Sequence, residues 1–252
     1  MSQLRAHLSL ALVLMCAVSA LAQNDPRPAY TGSGDLRDVR PVANWFNDAV
    51  LTQGIDVEPF LQFVDDADQG LIAGARMAAW VYEKLEVGGQ LAFINMDDGG
   101  DGLSDLLLYG RYQLDLGEDR PMFAIGGSVD LPTGEATLGQ NTVDVRLFGA
   151  LRYDVNEDLQ VFGNLGFESL ELPFVDDREN GLVLGGGAFL PLAESLVAIG
   201  EFNIGNNDYA AATAALDYEL PPGGHLRAGV TIGLDDGAPD LLARFAFSVP
   251  IY

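Results

Sequence analysis

Six charged residues carry the chemistry of a polar passage: Glu58, Arg76, Arg111, Arg146, Glu201 and Arg244. Each lies in a stretch where apolar and polar residues alternate with period two, and each falls on the polar row. Guanidinium and carboxylate groups that project from one face of a sheet into a narrow space must pair, because unpaired buried charge is costly. Two arrangements meet that need. One is a selectivity constriction with an arginine cluster that sets ion preference. The other is a salt-bridged plug that fills the interior. Asp105, Asp130, Asp144, Arg152, Glu168, Asp217 and Arg227 continue the same row nearer the segment ends.

Other site chemistries find little support. A histidine general base would have to be His225, the one histidine beyond residue 22, and no serine with His and Asp or Asn partners stands out. Asp97-Asp98-Gly99-Gly100-Asp101-Gly102 offers oxygen ligands, but it lacks EF-hand spacing and the closing glutamate, so it reads as a solvated acidic loop. The single cysteine, Cys16, excludes a disulfide framework and a cysteine zinc site. Neither an enzyme, a cofactor nor a metal centre is expected.

The elements that must position the six charges are strands. From Val143 to Val155, one face carries Val143, Val145, Leu147, Gly149, Leu151, Tyr153 and Val155, while the other carries Asp144, Arg146, Phe148, Ala150, Arg152 and Asp154. A helix would mix those sets; a strand separates them. Twelve such blocks lie near 54–64, 70–83, 85–96, 103–115, 121–131, 143–155, 159–171, 181–192, 195–205, 209–220, 224–235 and 240–252. The connections alternate between longer, more acidic loops and tight turns, as in an outer-membrane barrel with short periplasmic turns and longer outer loops. On that register Tyr112, Phe123, Tyr153 and Tyr218 face outward near the turn end, and Phe93, Phe167 and Phe202 near the loop end, as a pair of aromatic girdles. Alternation alone does not say which face is inside, and a soluble sandwich shows the same rows. The long strands, the export signal, the cysteine-free mature chain and the alternating loop lengths favour the membrane barrel.

The export signal occupies 1–22: Arg5, an apolar run from Leu8 to Val18, then Ala20-Leu21-Ala22 before the expected cleavage point. The 252 residues carry 13 Lys+Arg against 37 Asp+Glu, a net charge of −24 that argues against nucleic acid as a partner. Cleavage removes Arg5 and no acid, so the balance becomes 12 minus 37, or −25. Residues 23–53 form an extension before the barrel at 54–252. Within it Val42, Trp45, Phe46, Ala49 and Val50 follow helical spacing, Pro41 suits a first turn and Gly54 an exit, which predicts a short amphipathic helix at 41–52. Trp45 and Phe46 would then plug the lumen, or the helix would lie on the inner leaflet.

Leu103-Ser-Asp-Leu-Leu-Leu-Tyr-Gly-Arg-Tyr-Gln-Leu, followed by Val129-Asp-Leu-Pro-Thr-Gly-Glu-Ala, resembles the outer-membrane family named for the meta-pathway of phenol degradation, and Tyr153 to Phe167 resembles its next hairpin. The resemblance covers about 100–170 and implies a barrel of the transporter type for aromatic or other hydrophobic compounds, without assigning substrate residues. Barrels of this type end in an outward aromatic residue read by the barrel-assembly machinery; here Tyr252 falls on the polar row, and Pro250 is expected to mark a bulge or an unpaired end that resets the phase. The expected function is a passive channel for small solutes, hydrophobic or aromatic ones included, in contact with the bilayer and lipopolysaccharide of a Gram-negative outer membrane. A closed structural or adhesion-type barrel is the alternative, and an outer-membrane hydrolase the third reading.

Overall fold

Thirteen strand segments form one antiparallel sheet that closes on itself. The structure is a computed structural model that describes residues 36, 38–52, 54–66, 69–97, 100–114, 121–135, 143–156, 158–171, 178–206, 208–221 and 223–251. The expected export signal at 1–22, Cys16 and Tyr252 lie outside the described residues. The segments are β1 (Ile55–Asp65), β2 (Gly70–Tyr82), β3 (Leu85–Met96), β4 (Gly100–Leu103), β5 (Leu106–Leu114), β6 (Met122–Leu131), β7 (Asp144–Asn156), β8 (Leu159–Glu171), β9 (Arg178–Ala193), β10 (Leu196–Ile204), β11 (Ala210–Leu220), β12 (Gly224–Gly233) and β13 (Leu241–Ile251). β1 pairs with β13 and β2 with β3, so the sheet closes into a ring, and among the described residues the short β4 pairs with β3 alone.

The β4 and β5 segments are two halves of one stave, since both pair with β3, and the barrel therefore has twelve staves. The break at Ser104-Asp105 falls inside the block expected at 103–115. The Ser104 hydroxyl accepts the Ala92 N–H at 3.0 Å, and the Asp105 carboxylate accepts the Gly134 N–H at 2.8 Å. Side chains thus take over bonds that an unbroken ladder would make, and the 132–135 loop is tied to the wall.

The two faces answer the question that alternation left open. In β7, Val145, Leu147, Leu151 and Tyr153 are exposed, while Asp144, Phe148, Ala150 and Arg152 are buried. The exposed row continues around the barrel through Leu165, Leu182, Leu216, Val230 and Phe245. A soluble sandwich buries its apolar row; this sheet exposes it and buries its arginines. That is the polarity a bilayer demands, with lipid outside and paired charge within. About ten residues at about 3.3 Å each, tilted by about 40°, cover a hydrocarbon band of roughly 25 Å. Tyr112, Tyr153 and Tyr218 face out toward the turn end, Phe93, Phe167 and Phe202 toward the loop end, and Phe123 is half-buried.

Two expectations fail. Pro250 does not reset the phase: it lies opposite Asp56 in a β1–β13 register that continues unshifted to the Ile55–Ile251 pair. The predicted helix at 41–52 is absent. Residues 38–52 run as turns and bends inside the barrel, and Gly54, at a φ of 105°, swings the chain out of the lumen into β1.

Candidate functional site: the lumen and its plug

The extension fills the half of the lumen nearer the turns, and its apolar residues reach three sectors of the wall instead of one. Leu36, Val39 and Val42 pack on Phe162, Phe189, Val197, Ile199 and Ala215. Trp45 packs on Ala78, Leu107 and Tyr109, with Phe46 stacked edge-on at 5.0 Å between ring centroids. Ala49 packs on Ala124, Phe148 and Ala150. The spacing that suggested a helical face is real, but the residues splay outward to line the inside of a cylinder.

The wall binds the backbone of the extension directly, and it takes the Thr52 N–H and the Asp48 carbonyl, which a helix would have paired with each other. Glu201 accepts the N–H groups of Val42 at 2.5 Å, Ala43 at 3.1 Å and Asn44 at 3.0 Å. Three successive N–H groups gathered on one carboxylate make an anion nest. Glu86 accepts the Thr52 N–H at 2.5 Å. Arginines supply the matching donors. Arg152 reaches the carbonyls of Leu36 at 3.0 Å and Val39 at 2.6 Å, Arg111 that of Asp48 at 3.1 Å, and Arg244 that of Val42 at 3.1 Å. Irregular backbone inside a membrane barrel is tolerated where protein satisfies it, and here protein does.

Ion pairs tie the same groups together. Arg152 grips the plug carboxylate of Asp48 through two bonds of 2.6 Å and lies over Phe189 at 4.4 Å. Plug residue Arg40 meets Glu86 at 3.0 Å, and Arg111 meets Glu86 at 2.7 Å. Burial works against the Arg40 charge, but Glu86, Tyr109 and Asp48 outweigh it and hold its pKa above the ordinary arginine value. Arg76 donates to Glu58 at 2.6 Å and covers the Trp45 ring at 4.7 Å. Arg227 bridges Glu58 and Asp217, and Asp217 also holds the His225 Nδ1 at 2.7 Å. The chain of contacts from His225 through Asp217, Arg227, Glu58 and Arg76 ends on the plug carbonyl of Val42 at 3.4 Å.

All six sequence-selected charges face the lumen, but the structure divides them. Glu58, Arg76, Arg111 and Glu201 are buried with the plug. Arg146 and Arg244 are half-buried, and Arg146 pairs with Glu168 at 2.9 Å. Burial raises the Tyr209 hydroxyl pKa at the loop end, while Arg146 and Arg244 pull it back. The sequence reading missed Glu86, Asp48, Arg40 and Asn44. Glu86 shares its alternating row with Gln90 and Ala92, which was the available signal; the plug residues belong to no strand pattern.

The structure also brings together a histidine, an aspartate and a serine that the sequence reading did not connect. Ser248 lies directly across from His225, which binds Asp217. The Ser248 hydroxyl donates to Asp56 at 2.6 Å instead, and both Ser248 and His225 are buried, so the geometry is that of a satisfied network rather than an activated nucleophile. At the loop end Asp65, Asp66, Asp97, Asp101, Asp235 and Asp236 are exposed, while Asp98 lies outside the described residues.

Solved barrels share this architecture. An outer membrane channel from Pseudomonas putida F1 superposes with a TM-score of 0.61 at 13% identity, over 83% of this chain and 98% of that one. The fold is one that outer-membrane channels use. The KdgM porin in complex with disordered oligogalacturonate gives 0.58 at 11% identity, over 78% of this chain and 99% of that one. The NanC porin gives 0.57 at 11%, over 79% and 100%. No protein-family model and no curated protein sequence matches the chain.

Proposed function

We propose that the protein is an outer-membrane channel for small solutes whose lumen is occupied on the periplasmic side by residues 36–52. The observation that carries this reading is the inverted barrel itself, with apolar residues outside, charged residues inside and twelve staves closed into a ring. The family resemblance at 100–170 and the porin-like fold support a transporter role toward hydrophobic or aromatic compounds. The tight turns face the periplasm in this reading, the acidic loops face lipopolysaccharide, residues 1–22 are the export signal, and the assembly machinery inserts the barrel.

The plug favours a second reading, a closed structural barrel, because every polar group named above on the plug finds a wall partner. Planar bilayers separate the two. A channel shows conductance from the full chain, and deletion of residues 36–52 raises it. If heat-modifiable, correctly folded protein conducts neither with nor without those residues, the closed barrel is right. Ion preference would rest on the half-buried Arg146 and Arg244, since Arg76 and Arg111 are fully buried against the plug.

A further inference from the structure

Eight arginines are described, and seven of them have a carboxylate oxygen within 3.4 Å. Arg244 is the eighth. Among the described residues its partners are neutral: Gln62 Oε1 accepts from Nε at 2.9 Å and from one terminal nitrogen at 2.5 Å, and the Val42 carbonyl accepts from the other at 3.1 Å. Those bonds use three of the five guanidinium N–H groups and leave one on each terminal nitrogen. The nearest competing acids are already engaged, Glu201 by the plug N–H groups and Glu58 by Arg76 and Arg227.

The surroundings of this cation are apolar on one side. Its guanidinium lies over the Phe60 ring at 4.9 Å, and Phe60 packs with Ala92, Ala246 and Ile72. Gly229, directly across from Arg244 on β12, contributes no side chain. Arg244 is half-buried and lies on the lumen row near the loop end of β13. Gln62 and Val42 fix the orientation of the fork, so little rotamer freedom remains to be lost on binding.

We infer that Arg244 is the anion-binding residue of a subsite above the plug, which takes a small monocarboxylate with an apolar or aromatic body: the carboxylate on the two free N–H groups, the body against the half-buried Ile72. A carboxylate is a better match than a halide because two N–H groups on neighbouring nitrogens present the spacing of two oxygens. The inference rests on the lumen being a solute pathway, and it names the solute class.

The test uses the full chain, folded in detergent, with benzoate as probe and calorimetric titration as readout. Benzoate should bind at one site, with benzyl alcohol and chloride each at least tenfold weaker. Arg244→Gln should weaken benzoate at least tenfold. Should that variant lose its heat-modifiable gel shift, the wild-type comparison still decides, together with Ile72→Ala, which should weaken benzoate while leaving acetate unchanged. Equal binding of benzoate and benzyl alcohol, or full benzoate affinity in a folded Arg244→Gln, overturns the subsite. Because binding is read without conductance, a barrel that binds benzoate but passes no current would sink the channel reading and leave the subsite standing.

Discussion

Glu201 and Asn44 meet through two hydrogen bonds of 3.0 Å, one from the backbone N–H and one from the side-chain amide. The pair anchors the plug to β10, because the same carboxylate also takes the N–H groups of Val42 and Ala43. Hydrogen bonds to a charged group contribute about 1.5–3 kcal/mol each. Glu201→Ala should therefore free the plug without opening the barrel. A cysteine placed at Ala49, buried in the wild type, should become reactive toward a soluble maleimide, and conductance should rise, while the heat-modifiable gel shift stays. An unreactive cysteine in the Glu201→Ala background would show that apolar packing holds the plug alone.

Gly185 offers an approach from the other side of the same contact. A Cβ there would lie 2.2 Å from the Asn44 Oδ1 and 2.7 Å from the Asn164 amide nitrogen. Gly185→Ala should displace the Asn44 side chain and raise conductance as Glu201→Ala does. Adding Asn44→Ala should relieve the clash, and a double variant that conducts more than the single one would count against this geometry.

Arg152 and Asp48 form a bidentate pair with both side chains buried. Removing one partner of a buried pair leaves the other uncompensated, at a cost of about 3–5 kcal/mol. Either single alanine variant should lower the denaturant midpoint in lipid vesicles or increase cleavage within 36–52 by an added protease. The double variant should recover part of the loss. Losses that simply add would show that the two side chains act independently.

Leu165 lies midway along β8, is 57% exposed, and belongs to the outward row. In a bilayer an arginine at mid-depth on the lipid face costs about 2–4 kcal/mol. Leu165→Arg should lower unfolding stability in vesicles by that order, whereas Thr231→Arg, on the lumen row, should cost less through the membrane term. A stable, detergent-free soluble Leu165→Arg protein would remove the membrane assignment.

Much of this was legible in the residues. Period-two alternation is local, so it placed twelve staves within a few residues and separated Arg146 and Arg152 from Leu147 and Tyr153 without any structure. The interruption at Ser104-Asp105 was not legible, because it depends on Ala92 and Gly134, which are distant in sequence. The extension before β1 was legible only as an apolar spacing. Trp45 does lie in the lumen, but the helix proposed for it does not form, because helical spacing reports which residues are apolar and not what competes for their backbone. Glu86 takes the Thr52 N–H and Arg111 the Asp48 carbonyl, two groups that this helix would have paired with each other.

The alternating sequence by itself determined a sheet with one apolar and one charged row, since side chains alternate across a strand whatever it packs against. Which row faces inward was decided by closure, because only a closed twelve-stave sheet encloses the arginines and exposes Leu147 and Leu165. The pairing pattern was likewise tertiary. Seven described arginines found carboxylates and Arg244 found Gln62 and a carbonyl, an outcome set by where the plug lies across the lumen, which no local pattern encodes.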